Sequence, residues 1–88
     1  MESAQIKNME DIVMKEKVIE ILAGINPMIR DGINLISEGI VDSFAVVNIV
    51  MELEEAFEIE IDPEDVVAEN FENVDKIAAL VEKTKQNA

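Results

Sequence analysis

Apolar residues recur along this chain at helical rather than alternating spacing, so the pattern predicts helices throughout and no sheet. Met14, Val18, Ile21, Leu22 and Ile25 fall on one stripe. Asn8 followed by Asp11 supplies a capped start for that helix, and Gly24 with Asn26-Pro27 supplies its end. Ile6 and Met9 lie off the stripe, which predicts a flexible extension over residues 1–7, a domain over 8–84 and a polar tail over 85–88. The connection from Gly24 to Asp42 contains Pro27, Gly32 and Gly39, yet its Ile33, Leu35, Ile36 and Ile40 are too apolar for a solvated linker and should pack back on the helices. A loop of that length in a compact domain usually serves a function.

Asp42 is the predicted cap of a second helix from Ser43 to about Phe57, with Phe44, Val47, Val50, Leu53, Glu54 and Phe57 marking the edges of its inward side. Asp62-Pro63-Glu64-Asp65 combines a capping acid, a proline at the first helical position and acids in the first turn, which predicts a short helix through Ala68. Asn73 can cap a last helix carrying Val74, Ile77, Ala78, Leu80 and Val81, and the tail from Lys83 places lysine near its negative end. The expected fold is all-α: a small four-helix bundle of three principal helices, one short helix and a long first loop.

At 88 residues the chain forms one small domain, with no room for a large buried active-site chamber. It contains no Cys, His, Trp or Tyr, which removes disulfide frameworks, thiolate or imidazole zinc sites, and Cys- or His-based nucleophilic catalysis. Carboxylate pairs such as Glu54/Glu58 could bind calcium in principle, but no 12-residue loop of the EF-hand pattern is present, so no metal site is expected. A bundle this small offers little volume for a pocket that would raise a carboxylate pKa, so catalysis is not expected either. The longest apolar runs are too short to span a bilayer, and Met-Glu-Ser-Ala-Gln lacks the basic start and apolar stretch of a signal peptide. The expectation is a cytoplasmic monomer with no membrane insertion.

Charge sharpens this picture. The formal net charge is -13, and the segment from Glu38 to Asp75 holds 13 of the 20 acidic residues and none of the 7 basic ones. Such a surface disfavours nucleic acid and anionic membranes and favours basic partners. A solvated helical face is the bland reading, but a face without interspersed cations gives up stabilising i,i+4 pairs. Within this segment, Gly39-Ile40-Val41-Asp42-Ser43-Phe44 delivers a serine to the first turn of an acidic amphipathic helix. A serine there is also an ordinary helix start. The chemical interest is that free backbone N–H groups and the positive helix end favour a phosphate linked to its hydroxyl.

From about Asn8 to Lys83 the chain resembles the acyl carrier protein family. Asp42-Ser43-Phe44 is similar to the family's Asp-Ser-Leu motif, in which the serine carries 4'-phosphopantetheine. Val47, Ile49-Val50-Met51, Leu53-Glu54-Glu55 and Phe57 follow the family's recognition helix, and Ile59, Ile61 and Asn70-Phe71-Glu72-Asn73-Val74 match its later pattern. The resemblance implies a phosphopantetheine-dependent carrier rather than an enzyme, holding an acyl or aminoacyl group as a thioester and presenting it to partner enzymes. Ser43 would be the attachment site, modified by a phosphopantetheinyl transferase that uses coenzyme A and magnesium. Asp42 would cap the helix and help organise that metal in the transferase complex, with the cap alone explaining it about as well. Phe44, Val46 and Met51, beside Glu52, Glu55 and Glu58, would face partners with basic patches, an acyl- or aminoacyl-loading ligase and downstream acyltransferase or synthase enzymes among them. The other reading of these apolar residues is core or rim, above all for Phe44. Leu53, Phe57, Ile61, Val66 and Phe71 would line a gap where cargo shelters, or serve as ordinary core.

Two departures set this chain apart from carriers of fatty-acid synthesis. Gly39 lies four residues before Ser43, where those carriers usually have glycine three before, and Ala45 and Asn48 stand where they tend to present acids. Gly-x-x-Asp-Ser, a small residue two after the serine and an amide five after it are more similar to D-alanyl carrier proteins and stand-alone aminoacyl carriers. A dedicated pathway is the leading expectation. A fatty-acid carrier is the alternative within the class, and an acidic helical interaction module without prosthetic group is the alternative outside it.

Overall fold

The computed structural model describes the backbone of residues 2–87 and the side chains of residues 12–87. Three α-helices, α1 (Glu2–Ala23), α2 (Ser43–Phe57) and α3 (Val74–Gln86), are joined by the long loop 24–42 and by a segment holding two 3-10 turns, η1 (Pro63–Asp65) and η2 (Ala68–Phe71). Among the described residues there is no strand. The apolar stripe of α1 faces inward as its spacing requires, with Val18 and Leu22 fully buried and Met14, Ile21 and Ile25 packed at their margin. The helix begins at Glu2, ahead of the expected cap at Asn8, because no glycine or proline interrupts helical backbone before it. Whether residues 1–7 pack or hang free turns on side chains that lie outside the described residues. Helix α3 likewise runs past the expected start of the tail, to Gln86.

The expected short helix is divided. Asp62 caps η1 by accepting the Glu64 N–H, with Pro63 at the first position, but regular geometry ends at Asp65. The β-branched pair Val66-Val67 leaves helical backbone, Val66 at φ -86°, ψ 74° and Val67 extended, and η2 then brings Phe71 into the core. Asn70 closes the break, its Nδ2 donating to the Asp65 carbonyl at 2.8 Å. A bundle of three α-helices with two 3-10 turns therefore replaces the expected four helices.

The loop is part of the core, as its apolar content demands. Ile29, Leu35 and Val41 are buried with Ile49 and Leu53 of α2, Ile61, Phe71 and the inner face of α3. Its backbone groups are bonded to match. The Leu35 N–H donates to the Glu72 carbonyl at 2.6 Å, and the Leu35 carbonyl accepts from both Ile40 and Val41. Lys15 ties three elements together, its Nζ lying 2.8 Å from Asp31 of the loop and 2.9 Å from Asp75 at the start of α3. The hydrogen bond to Asp31, then that to Asp75, holds the Lys15 ammonium above its ordinary pKa, and the Lys15 bond draws the Asp31 carboxyl below its own.

Lysines also reach Glu72 and Asp65, but Glu52, Glu55, Glu58, Glu60 and Glu64 form no ion pair among the described residues. Exposed pairs contribute little, on the order of 0–1 kcal/mol each, so repulsion among the unpaired acids dominates the surface electrostatics. Counter-ions relieve it, because the Debye length falls from about 30 Å at 0.01 M salt to about 10 Å at 0.1 M. The thermal midpoint is expected to rise by several degrees over that interval. A flat or falling midpoint would show that the ion pairs, rather than the unpaired acids, set the balance.

Candidate functional site

Helix α2 starts where its cap dictates. Asp42 is extended (φ -117°, ψ -172°), its carboxylate accepts the Ala45 N–H at 2.9 Å, and its carbonyl accepts from Val46. The cap is held from behind by buried Val41 and by the turn at Gly39, whose φ of +75° suits glycine and whose N–H donates to the Ile36 carbonyl. Ser43 is thereby placed at the first helical position and is exposed. The N–H groups of Ser43 and Phe44 have no intrahelical acceptor at that end.

The phase of α2 is set by Ile49 and Leu53, one turn apart and fully buried. Val46, Val50 and Phe57 flank them and are partly buried against the core. Phe44, Val47 and Met51 consequently lie on the outer side, 84%, 55% and 61% exposed, as a strip that begins next to Ser43. Phe44 is thus neither core nor rim, and Val47, expected at the inward edge, is an outward residue. Val46, expected on the docking side, is partly buried against the core. The spacing of Val46, Ile49, Val50, Leu53 and Phe57 was the signal for this phase. Glu52, Glu55 and Glu58 are exposed further along the same helix. Glu58 closes it in the left-handed region (φ 55°), its N–H donating to the Glu54 carbonyl.

Glu54 points elsewhere. Its Oε2 accepts the Ile61 N–H at 2.9 Å and folds the chain back on α2. Among the described residues no group of three acids is arranged to hold a metal ion. Of the five residues expected around a cargo gap, Leu53, Ile61 and Phe71 are buried and Phe57 and Val66 are partly buried against them. No helix among the described residues is long and apolar enough to cross a membrane.

Residues 15–81 match the family described as phosphopantetheine attachment site. The chain is similar to the D-alanyl carrier protein of Lactococcus lactis subsp. cremoris, 38% identical over 79 residues that cover 84% of this chain and 100% of that protein. It is also similar to the D-alanyl carrier protein of Lactococcus lactis subsp. lactis, 36% identical over 76 residues that cover 82% and 96% of the two chains. No solved structure matches it significantly.

Proposed function

The chain belongs to the phosphopantetheine-attachment family of carrier proteins, and on that basis we propose that it carries an aminoacyl group, D-alanyl by its relatives, on an arm attached to Ser43. It is a covalent shuttle rather than a catalyst, and its cofactor is 4'-phosphopantetheine. Once attached, that group supplies the thiol that holds cargo as a thioester. The observation that carries the assignment to Ser43 is its exposure at the first position of α2, immediately after the capping Asp42. The hydroxyl is open to a transferase, Asp42 occupies the Ala45 N–H, and the N–H groups of Ser43 and Phe44 with the positive helix end favour an esterified phosphate. A thiol brought by the arm also fits a chain without cysteine of its own, since a protein thiol could compete for thioester cargo.

The outer strip of α2 supports the partner reading. Phe44, Val47 and Met51 offer exposed apolar contact beside the attachment point, and Glu52, Glu55 and Glu58 offer charge for steering toward basic patches. No acid stands in the first turn of α2, so the footprint near Ser43 is apolar. This favours an adenylating aminoacyl ligase over enzymes of fatty-acid synthesis as the loading partner, after a phosphopantetheinyl transferase has installed the arm. A ligase and a transferase that draw on ATP and coenzyme A support a cytoplasmic location for the carrier.

The test is loading of the holo-protein. With D-alanine, ATP and a D-alanine-activating ligase, an aminoacyl thioester is expected, while malonyl loading by fatty-acid enzymes should be poor. Val47→Asp should lower kcat/KM for loading by at least about tenfold, because a docked charge loses water there. Its stability should change by less than about 0.5 kcal/mol, since the side chain is exposed. Malonyl loading and chain extension at parity with a housekeeping carrier would overturn the aminoacyl reading.

A further inference from the structure

Both walls of the gap expected to shelter cargo are tied to one stretch of α3. On the η1 side, the Lys83 ammonium lies 2.9 Å from the Asp65 carboxylate. On the α2 side, Lys85, two residues on, stands over the Phe57 ring at 5.7 Å from its centroid. The same walls are joined directly by the Glu54 carboxylate, which accepts the Ile61 N–H. Moving η1 away from α2 therefore breaks a charge-assisted bond, and the residues behind it, Leu53, Ile61 and Phe71, are 0%, 4% and 0% exposed. The open concavities beside η1 are no substitute. One is lined by Glu54, Glu60, Ile61, Asp62 and Pro63, and the other by Glu60, Asp62, Glu64, Asp65, Lys83, Thr84 and Asn87, walls of carboxylates and other polar groups that an alkyl chain would have to desolvate.

We infer that Lys83 and Lys85 add to the Glu54–Ile61 bond in holding the gap shut and so help set the cargo limit of this carrier: cargo stays in water and the acyl groups carried are small and polar. Sheltering would reward each added methylene, whereas a chain left in solvent gains nothing from length. The inference rests on the reading that Ser43 bears the arm, and the two fail separately. Arms ending in acetyl, butyryl and octanoyl groups are installed from the corresponding coenzyme A thioesters with a promiscuous transferase, and intact mass reports attachment before any melting is measured. Absence of the added mass is a failure of the Ser43 reading.

With the arms in place, the thermal midpoint of the wild type is expected to be the same within about 1 °C for all three chains. For a domain of this size about 1 kcal/mol corresponds to roughly 4–8 °C, so a sheltered octanoyl group would be evident. In the Lys83→Met/Lys85→Met variant the midpoint should instead rise with chain length. Reading the slope within each variant cancels the effect of the lost charges on stability, and both lysines are exposed enough for the fold to survive. A wild-type midpoint that climbs from acetyl to octanoyl overturns the inference, and so does a double variant whose midpoint stays flat.

Discussion

Ser43→Ala is expected to abolish attachment of the arm completely while leaving the fold unchanged. Besides Ser43, the hydroxyl side chains of this sequence are Ser3, Ser37 and Thr84. Ser37 is bound into a turn, its N–H on the Asn34 carboxamide oxygen and its hydroxyl 3.5 Å from the Asn34 carbonyl, and it does not start a helix. Thr84 is buried with its hydroxyl on the Leu80 carbonyl. Incubation with coenzyme A and a promiscuous transferase should add one phosphopantetheine to the wild type and to Ser37→Ala, and none to Ser43→Ala. The cap is Asp42, so the exposed serine contributes little to stability and the variant should melt within about 0.5 kcal/mol of the wild type. Modification of the alanine variant would remove Ser43 from the account.

The second large effect concerns the core. Phe71 is the largest fully buried side chain and brings η2 against α2 and α3. Phe71→Ala is expected to cost about 3–5 kcal/mol, which is as much as a core of this size supplies, about 3–5 kcal/mol. The variant should be largely unfolded at 37 °C. Phe44→Ala removes the same ring from an 84% exposed position and should shift stability by less than about 0.5 kcal/mol. Denaturant unfolding followed by circular dichroism compares the two directly. Similar losses for both variants would show that the outer strip of α2 supports the fold instead of being free for partners.

The contrast between these phenylalanines also marks how far the sequence could be read. The limits of α2 are legible because its cap is local: Asp42 and the amide it binds lie three residues apart. The loop's apolar residues likewise announce that it packs inward. Which side of α2 faces the core is harder, since Phe44, Val46, Val47 and Met51 are all apolar and only the Ile49–Leu53 spacing decides their phase. The division of the expected short helix depends on two β-branched residues, Val66 and Val67, whose conformation is settled by packing as much as by propensity. The ties of Lys15 to Asp31 and Asp75, of Leu35 to Glu72 and of Lys83 to Asp65 join residues far apart in the chain, and no local pattern encodes such pairings.

The candidate site divides in the same way. Ser43 and Asp42 carry their meaning in a short motif and a helix start, and the structure presents the serine in the open. The exposed apolar strip is a property of helix phase, so Val47 becomes visible as an outward residue only once α2 is seated on the core.

The central claim is that Ser43 holds a phosphopantetheine arm carrying a small acyl group, and the intact mass of the protein from its native host tests it most directly. Measured before and after mild hydroxylamine, with the modified peptide then sequenced, the mass should show one arm on Ser43 plus a small adduct that hydroxylamine removes. A protein that carries no arm, or whose arm sits on another residue, would contradict the account.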